Sequence, residues 1–136
     1  MEFESRKVHK EYEALLEGRI EESEGIVELP IRLDVDNRPY QIVDPVQGKY
    51  AKTVFKVLGY TTFNGCLCTR VRFFPETGRT HQLRVHSASG LKHPIRGDRL
   101  YGTREPGERL LLHAAKITFE HPRTGEIVTF ETAVPF

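Results

Sequence analysis

The sequence predicts an α+β domain, a mostly antiparallel mixed sheet carrying one main short helix. Three observations predict it. Apolar and polar residues alternate with a period of two over much of the chain, as half-buried strands require. Asn64-Gly65, a pair that tolerates positive φ, stands between two of the best strand candidates, which is a hairpin signal. One stretch alone, after Thr80, reads as a helix set between turn residues.

In chain order, residues 8–18 place Val8, Tyr12, Ala14 and Leu16 on one face and Glu11 and Glu13 on the other, a half-buried strand. Ile26 to Leu33 is a shorter candidate that Pro30 ends or confines to an edge. Residues 37–49 contain two prolines, an Asn and a Gly and read as a loop. Strands follow at 52–61 and 66–74, joined by Asn64-Gly65 in a type I′ turn. After the turn 75–80, Thr80 is expected to cap a helix over HQLRVHSAS that stops at Gly90. Residues 91–109, rich in Gly, Pro and charge, read as a long irregular segment. The segments 109–121 and 126–134 complete the sheet as an antiparallel pair turned at Pro122-Arg123-Thr124-Gly125. No internal repeat is present, and 136 residues fit one domain.

Composition narrows the function classes. No apolar run approaches the roughly 20 residues of a membrane span, and MEFESRKVHKEYE lacks the apolar stretch of a secretory signal. A cytoplasmic protein with reduced Cys66 and Cys68 is therefore expected. Net charge is +1, but it is unevenly spread. Residues 11–36 hold nine acids against two bases, and residues 70–104 hold eight Lys or Arg against two acids. The basic stretch is either a surface that meets a polyanion or a solvated face.

Metal and nucleotide chemistry find no pattern. Cys66 and Cys68 have no further cysteine to complete a thiolate site. His81 and His86 are five apart and diverge on a helix, so no metal or other cofactor is expected. Ser87, His86 and Asp98 lack the glycines of a nucleophile elbow. The stretch 77–102 carries the clearer signal. A helix opening Thr-His-Gln-Leu-Arg after Gly-Arg aims amides and cations at one place, an expected anion site. His81 and Arg84, three apart, share a face. A partly buried Arg84 requires a carboxylate or phosphate, either as a scaffold ion pair within the domain or as a working partner in a site.

GRTHQLRVH, HPIRGDRLYG and RLLLHA resemble the C-terminal half of the catalytic domain of RluA-type pseudouridine synthases. KVHKEYEALLEG, LPIRLDVDNRP, KTVFKVL and HPRTGEIVTFETAVP extend the resemblance in collinear order over nearly the whole chain. It implies a partial pseudouridine synthase domain over residues 1–136, acting without cofactor on ribosomal or transfer RNA. It implies catalytic roles for Tyr12, in the Lys-x-Tyr strand, and for Arg84, matching the arginine that pairs with the family's nucleophilic aspartate. Leu112 matches the apolar wall of the uridine pocket, and Arg79 and His81 are expected beside the substrate. Arg70, Arg72, Lys92, Arg96 and Arg99 are the expected RNA contacts. Taken singly, Tyr12 reads equally as a core aromatic and Leu112 as an ordinary strand leucine.

One departure limits that expectation. The family's nucleophile lies in His-Arg-Leu-Asp-x-x-Thr-Ser-Gly, ahead of the Lys-x-Tyr strand. Here Arg32-Leu33-Asp34 follows Tyr12, with Ile31 in place of His and Val35-Asp36-Asn37 after it. Asp34 is therefore expected to be a loop acid, and this chain to lack the nucleophile and to be inactive alone. The alternative is a non-catalytic RNA-binding module on the same fold. In either case self-association through an unpaired sheet edge is expected.

Overall fold

A computed structural model describes residues 8–136; the signal-free reading of the N-terminus rests partly on residues 1–7, which lie outside the described part. Six strands form the main sheet in the order β2-β5-β6-β1-β7-β8, and β3 pairs with β4 in a separate ribbon. The strands are β1 (Val8–Glu17), β2 (Glu24–Glu28), β3 (Ile31–Leu33), β4 (Gln41–Val43), β5 (Lys52–Phe63), β6 (Cys66–Pro75), β7 (Leu112–Glu120) and β8 (Ile127–Glu131). All these pairings are antiparallel, so the expected mixed character is absent among the described residues.

β1 lies at the centre because it is apolar on both faces where neighbours cover it. Ala14 and Leu16 face a core shared with Ile20, Phe55, Val71, Phe73, Leu83 and Ile95, whereas Leu15 joins Cys68 and Leu111 on the other face. The β5–β6 hairpin turns at Asn64 and Gly65 with φ of 48° and 79°, the doubly left-handed turn expected there. Pro30 separates β2 from β3, since a proline has no N–H for the ladder. The loop expected over 37–49 contains β4, which is only three residues long and too short to show a period.

The helix differs from expectation in a way that shapes the site. α1 spans only Gln82–Val85 and continues as a π-helical turn over His86–Leu91, past Gly90, to Lys92 at φ 66°. Thr80 does not cap it. The N-cap is His81, held left-handed at φ 56°. The Gln82 N–H is taken by the Arg79 carbonyl at 3.0 Å. A four-residue helix entered this way offers no anion-binding terminus, so the expected amide site is corrected.

Buried polar residues anchor α1. The Gln82 carboxamide accepts from the Thr77 hydroxyl (2.7 Å) and the Arg79 N–H (3.0 Å), and donates to the Lys52 carbonyl (3.0 Å) and Thr53 Oγ1 (2.9 Å). His86 Nε2 lies 2.9 Å from the Leu29 carbonyl, which can only accept, so this nitrogen carries the proton and Nδ1 accepts from Thr53 at 2.8 Å. Burial pushes the His86 pKa down, and the Leu29 bond only partly offsets this. His86 therefore ties α1 to β5 and to the end of β2. It forms no triad, because Asp98 is engaged elsewhere.

Candidate active site

Where α1 meets the end of β1, a cavity of about 270 Å³ opens. Lys10 and Tyr12 come from β1, Leu112 from the adjoining β7, and Arg79, His81 and Arg84 from the turn and helix that Gln82 anchors. Tyr12 pairs with Phe73, and Leu112 with Ala14, on the face that carries the main core. The aromatic and aliphatic walls are thus extensions of the core toward solvent. No other protein group is within hydrogen-bond reach of the Tyr12 hydroxyl among the described residues, and burial pushes its pKa up, so it stays protonated at neutral pH.

Arg84 has its counter-ion within the chain. Nε donates to Asp98 Oδ2 at 3.0 Å and Nη2 to Oδ1 at 2.6 Å, a side-on bidentate pair. The Asp98 side chain is fully buried, while Arg84 remains 17% exposed toward the cavity. Asp98 Oδ1 also accepts the N–H groups of Leu100 (3.0 Å) and Tyr101 (3.1 Å). Burial alone would raise the Asp98 pKa, but the guanidinium and these two amides overcome it and hold the carboxyl below its usual range. Of the two readings of Arg84 left open by the sequence, the ion pair within the domain is present: Asp98 already compensates its charge. Nη1 makes no hydrogen bond to protein among the described residues. Gly97 makes this anchor fit, because a Cβ there would collide with the Arg109 carbonyl and its φ of 85° suits glycine.

Tyr101 closes the back of the cluster. Its hydroxyl accepts the Gln41 N–H at 2.8 Å and lies 2.9 Å from His81 Nδ1, and its ring sits 5.4 Å from the Arg84 guanidinium carbon. Burial first, then the Arg84 charge, pushes the His81 pKa down, so the ring is neutral at pH 7. Gln82 lies inside GRTHQLRVH, and Asp98 and Tyr101 inside HPIRGDRLYG, two stretches that carry the resemblance, but no role at this cavity was expected of the three.

The other expected RNA contacts divide. Arg70 and Arg72 lie on the opposite sheet face, where Arg70 meets Glu13 at 2.8 Å and Arg72 meets Glu11 at 3.0 Å and Glu13 at 2.9 Å. Arg96 is buried against Glu108 at 2.7 Å. Each of these three guanidiniums is matched to an acid of the chain, and Arg96 is in addition closed off by burial. Lys92 and Arg99 are exposed, and Arg99 is near enough for its charge to act on His81. Asp34 starts a 3₁₀ turn and accepts from Asn37 Nδ2 at 3.1 Å, away from the cavity. Among the described residues no carboxylate lines the cavity. No group of three or more His, Cys, Asp or Glu converges on a metal position among them either. A neighbouring cleft of about 520 Å³ shares Gly78 and Arg79 with the cavity and adds Arg32, Gln41 and Lys49.

Comparison with known proteins adds a second line of observation. A family model described as RNA pseudouridylate synthase matches residues 1–89. The dual-specificity RNA pseudouridine synthase RluA of Haemophilus influenzae is 43% identical over 138 residues, covering 99% of this chain and 61% of the relative. The protein of the same name from Escherichia coli K12 is 42% identical with the same coverage. The chain thus spans about three fifths of the length of these curated relatives. Among solved structures, human RNA pseudouridylate synthase domain containing 1 superposes with a TM-score of 0.84 at 38% identity, over 98% of this chain and 58% of that one. Human RNA pseudouridylate synthase domain containing 4, at 24% identity and a TM-score of 0.72, shares the fold.

Proposed function

Because the chain belongs to the RNA pseudouridylate synthase family, we propose that it is the base-holding portion of an RNA uridine isomerase, acting on ribosomal or transfer RNA. One observation carries this reading. Tyr12, Leu112 and Arg84 converge on a single cavity, which offers an aromatic wall, an aliphatic wall and a fixed cation. Together these suit a flat uncharged base beside a carboxylate. Turning that base out of its stack costs about a few kcal/mol, which the apolar walls offset.

In the proposed reaction the uridine N1–C1′ bond breaks, the base turns, and a C5–C1′ bond forms as C5 gives up its proton and N1 takes one. A carboxylate nucleophile carries the covalent step. Arg84 holds that carboxylate ionised through Nη1, and the Asp98 clamp keeps the guanidinium plane aimed at it. Tyr12 stacks on the ring and sets its protonated hydroxyl beside the proton in transit. The adjoining cleft at Arg79 and Lys49 takes the flanking backbone.

Since no carboxylate lines the cavity among the described residues, the 136-residue chain is expected to release no tritium from 5-labelled uridine RNA. Turnover by the purified chain would overturn that. The same observation favours a second reading, an RNA-binding module without chemistry. Supplying the N-terminal part of the Haemophilus relative in trans separates the two: restored release supports the isomerase portion, and salt-sensitive binding without release supports the module. In either reading we propose pairing between copies at an outer strand, because β2 and β8 end the sheet and β8 exposes Ile127 and Phe130.

A further inference from the structure

We propose that His81 is the residue that reads the base, presenting a fixed neutral Nε2–H to a keto oxygen of a pyrimidine and so favouring uracil over cytosine. The inference rests on the reading of the cavity as a base pocket and adds the group that discriminates within it.

The proposed tautomer rests on the hydrogen bonds at Tyr101. Tyr101 Oη has one proton and two lone pairs. The Gln41 N–H, a backbone donor, occupies one lone pair at 2.8 Å. The hydroxyl proton then needs an acceptor, and His81 Nδ1 at 2.9 Å is the one within reach among the described residues. In the proposed arrangement Nδ1 takes that proton, rather than donating to the second lone pair of the hydroxyl, and the ring proton sits on Nε2. That nitrogen has no protein partner among the described residues, and His81 lines the cavity.

The backbone supports a constrained role. His81 adopts the left-handed conformation at φ 56°, uncommon outside glycine although histidine, like asparagine and aspartate, enters it more readily than most residues, and its side chain lines the cavity. Its ring stands edge-on to Tyr101 at 5.7 Å between centroids, so rotation is restricted on that side. Charge decides what the donor is for. Asp98 already compensates Arg84, and a neutral imidazole adds nothing for a phosphate that Arg79 or Lys49 would not supply better. A single uncharged N–H matches a carbonyl oxygen. At the 4-position uracil offers such an oxygen and cytosine an amino group, which faces the same N–H donor to donor. Two opposed donors left unmet in a pocket are the situation in which hydrogen bonding discriminates strongly.

The test uses the whole chain with uniformly ¹⁵N-labelled histidine. At pH 7 the long-range ¹⁵N–¹H spectrum is expected to show His81 as the Nε2–H tautomer, and Tyr101→Phe to lose that preference while the remaining histidines stay unchanged. Titration with uridine 5′-monophosphate and cytidine 5′-monophosphate is expected to favour the uridine nucleotide about tenfold and to move the His81 signals. His81→Asn, which tolerates the left-handed backbone but is too short to replace Nε2, is expected to bring the two affinities within twofold. A protonated or Nδ1–H His81 overturns the inference, as does full discrimination by His81→Asn. If neither mononucleotide binds but a uridine-containing single-stranded RNA does, the inference falls and the base-holding reading stands. If no RNA binds, both fall.

Discussion

Arg84 and Asp98, fourteen residues apart, form a bidentate ion pair with contacts of 3.0 and 2.6 Å beneath the cavity. The carboxylate is fully buried and the guanidinium is not, so the pair works as a mount. The acid fixes the plane of an arginine whose outer edge stays open to a ligand. Arg84→Ala leaves the buried carboxylate unpaired, and the expected cost is about 3–5 kcal/mol in urea unfolding. Arg84→Lys is expected to recover only part of that, because an ammonium cannot make the planar two-point contact. An unchanged urea midpoint in both variants would contradict the mount.

Tyr12 and Leu112 are expected to separate binding from folding. Tyr12→Phe removes a hydroxyl that bonds no protein group among the described residues, so the melting temperature should hold and uridine-RNA binding should persist. Tyr12→Ala removes the stacking face and should weaken that binding by about 1–3 kcal/mol. Leu112→Ala should lower affinity through the opposite wall. Fluorescence anisotropy on a short uridine-containing RNA reads all three.

Salt dependence distinguishes the arginines. Arg99 is exposed and near His81, so Arg99→Ala should lower the slope of log affinity against log salt by about 0.7 for a single-stranded RNA. Arg70→Ala and Arg72→Ala, on the far face with Glu13 and Glu11, should leave the slope unchanged and lower the melting temperature. Equal slopes for all three variants would return the basic stretch to a diffuse field.

Acid should act in two stages. His86 and His81 have folded pKa values below 6.5, so the unfolded chain takes up protons first as pH falls through that value. Stability therefore declines below about pH 6.5 and continues to fall until the folded rings titrate. His81→Asn removes its share of that decline. Glu108 is held to about 2 by the Arg96 guanidinium and Asn64, so its contribution is complete above 4.5 and is lost between 4.5 and 2. Melting curves from pH 8 to 2 should show both losses, and a flat profile between 6.5 and 5 would contradict the histidine assignment.

If copies pair along β8, light scattering should show a mass that rises with concentration. Ile127→Lys with Phe130→Lys should restore the monomer by placing charge on the exposed strand. A monomer at high concentration without those changes would count against the pairing.

The sequence by itself determined the elements whose physics is local. Asn64-Gly65 supplies positive φ, Pro30 removes an N–H, and the alternation from Tyr12 to Leu16 needs a sheet with a buried face. Each acts within a few residues, so each was legible. The order of motifs around Tyr12, Arg84 and Leu112 was legible too. Tertiary structure alone decided which charges are spent. Arg70, Arg72, Arg84, Arg96 and Arg99 belong to one basic run along the chain, yet three are paired with acids on other elements, one is mounted on Asp98, and Arg99 stands exposed, near enough for its charge to act on His81. Ion pairing depends on distance through space and on burial, and a period-two strand says which face a residue takes without saying which acid will meet it there.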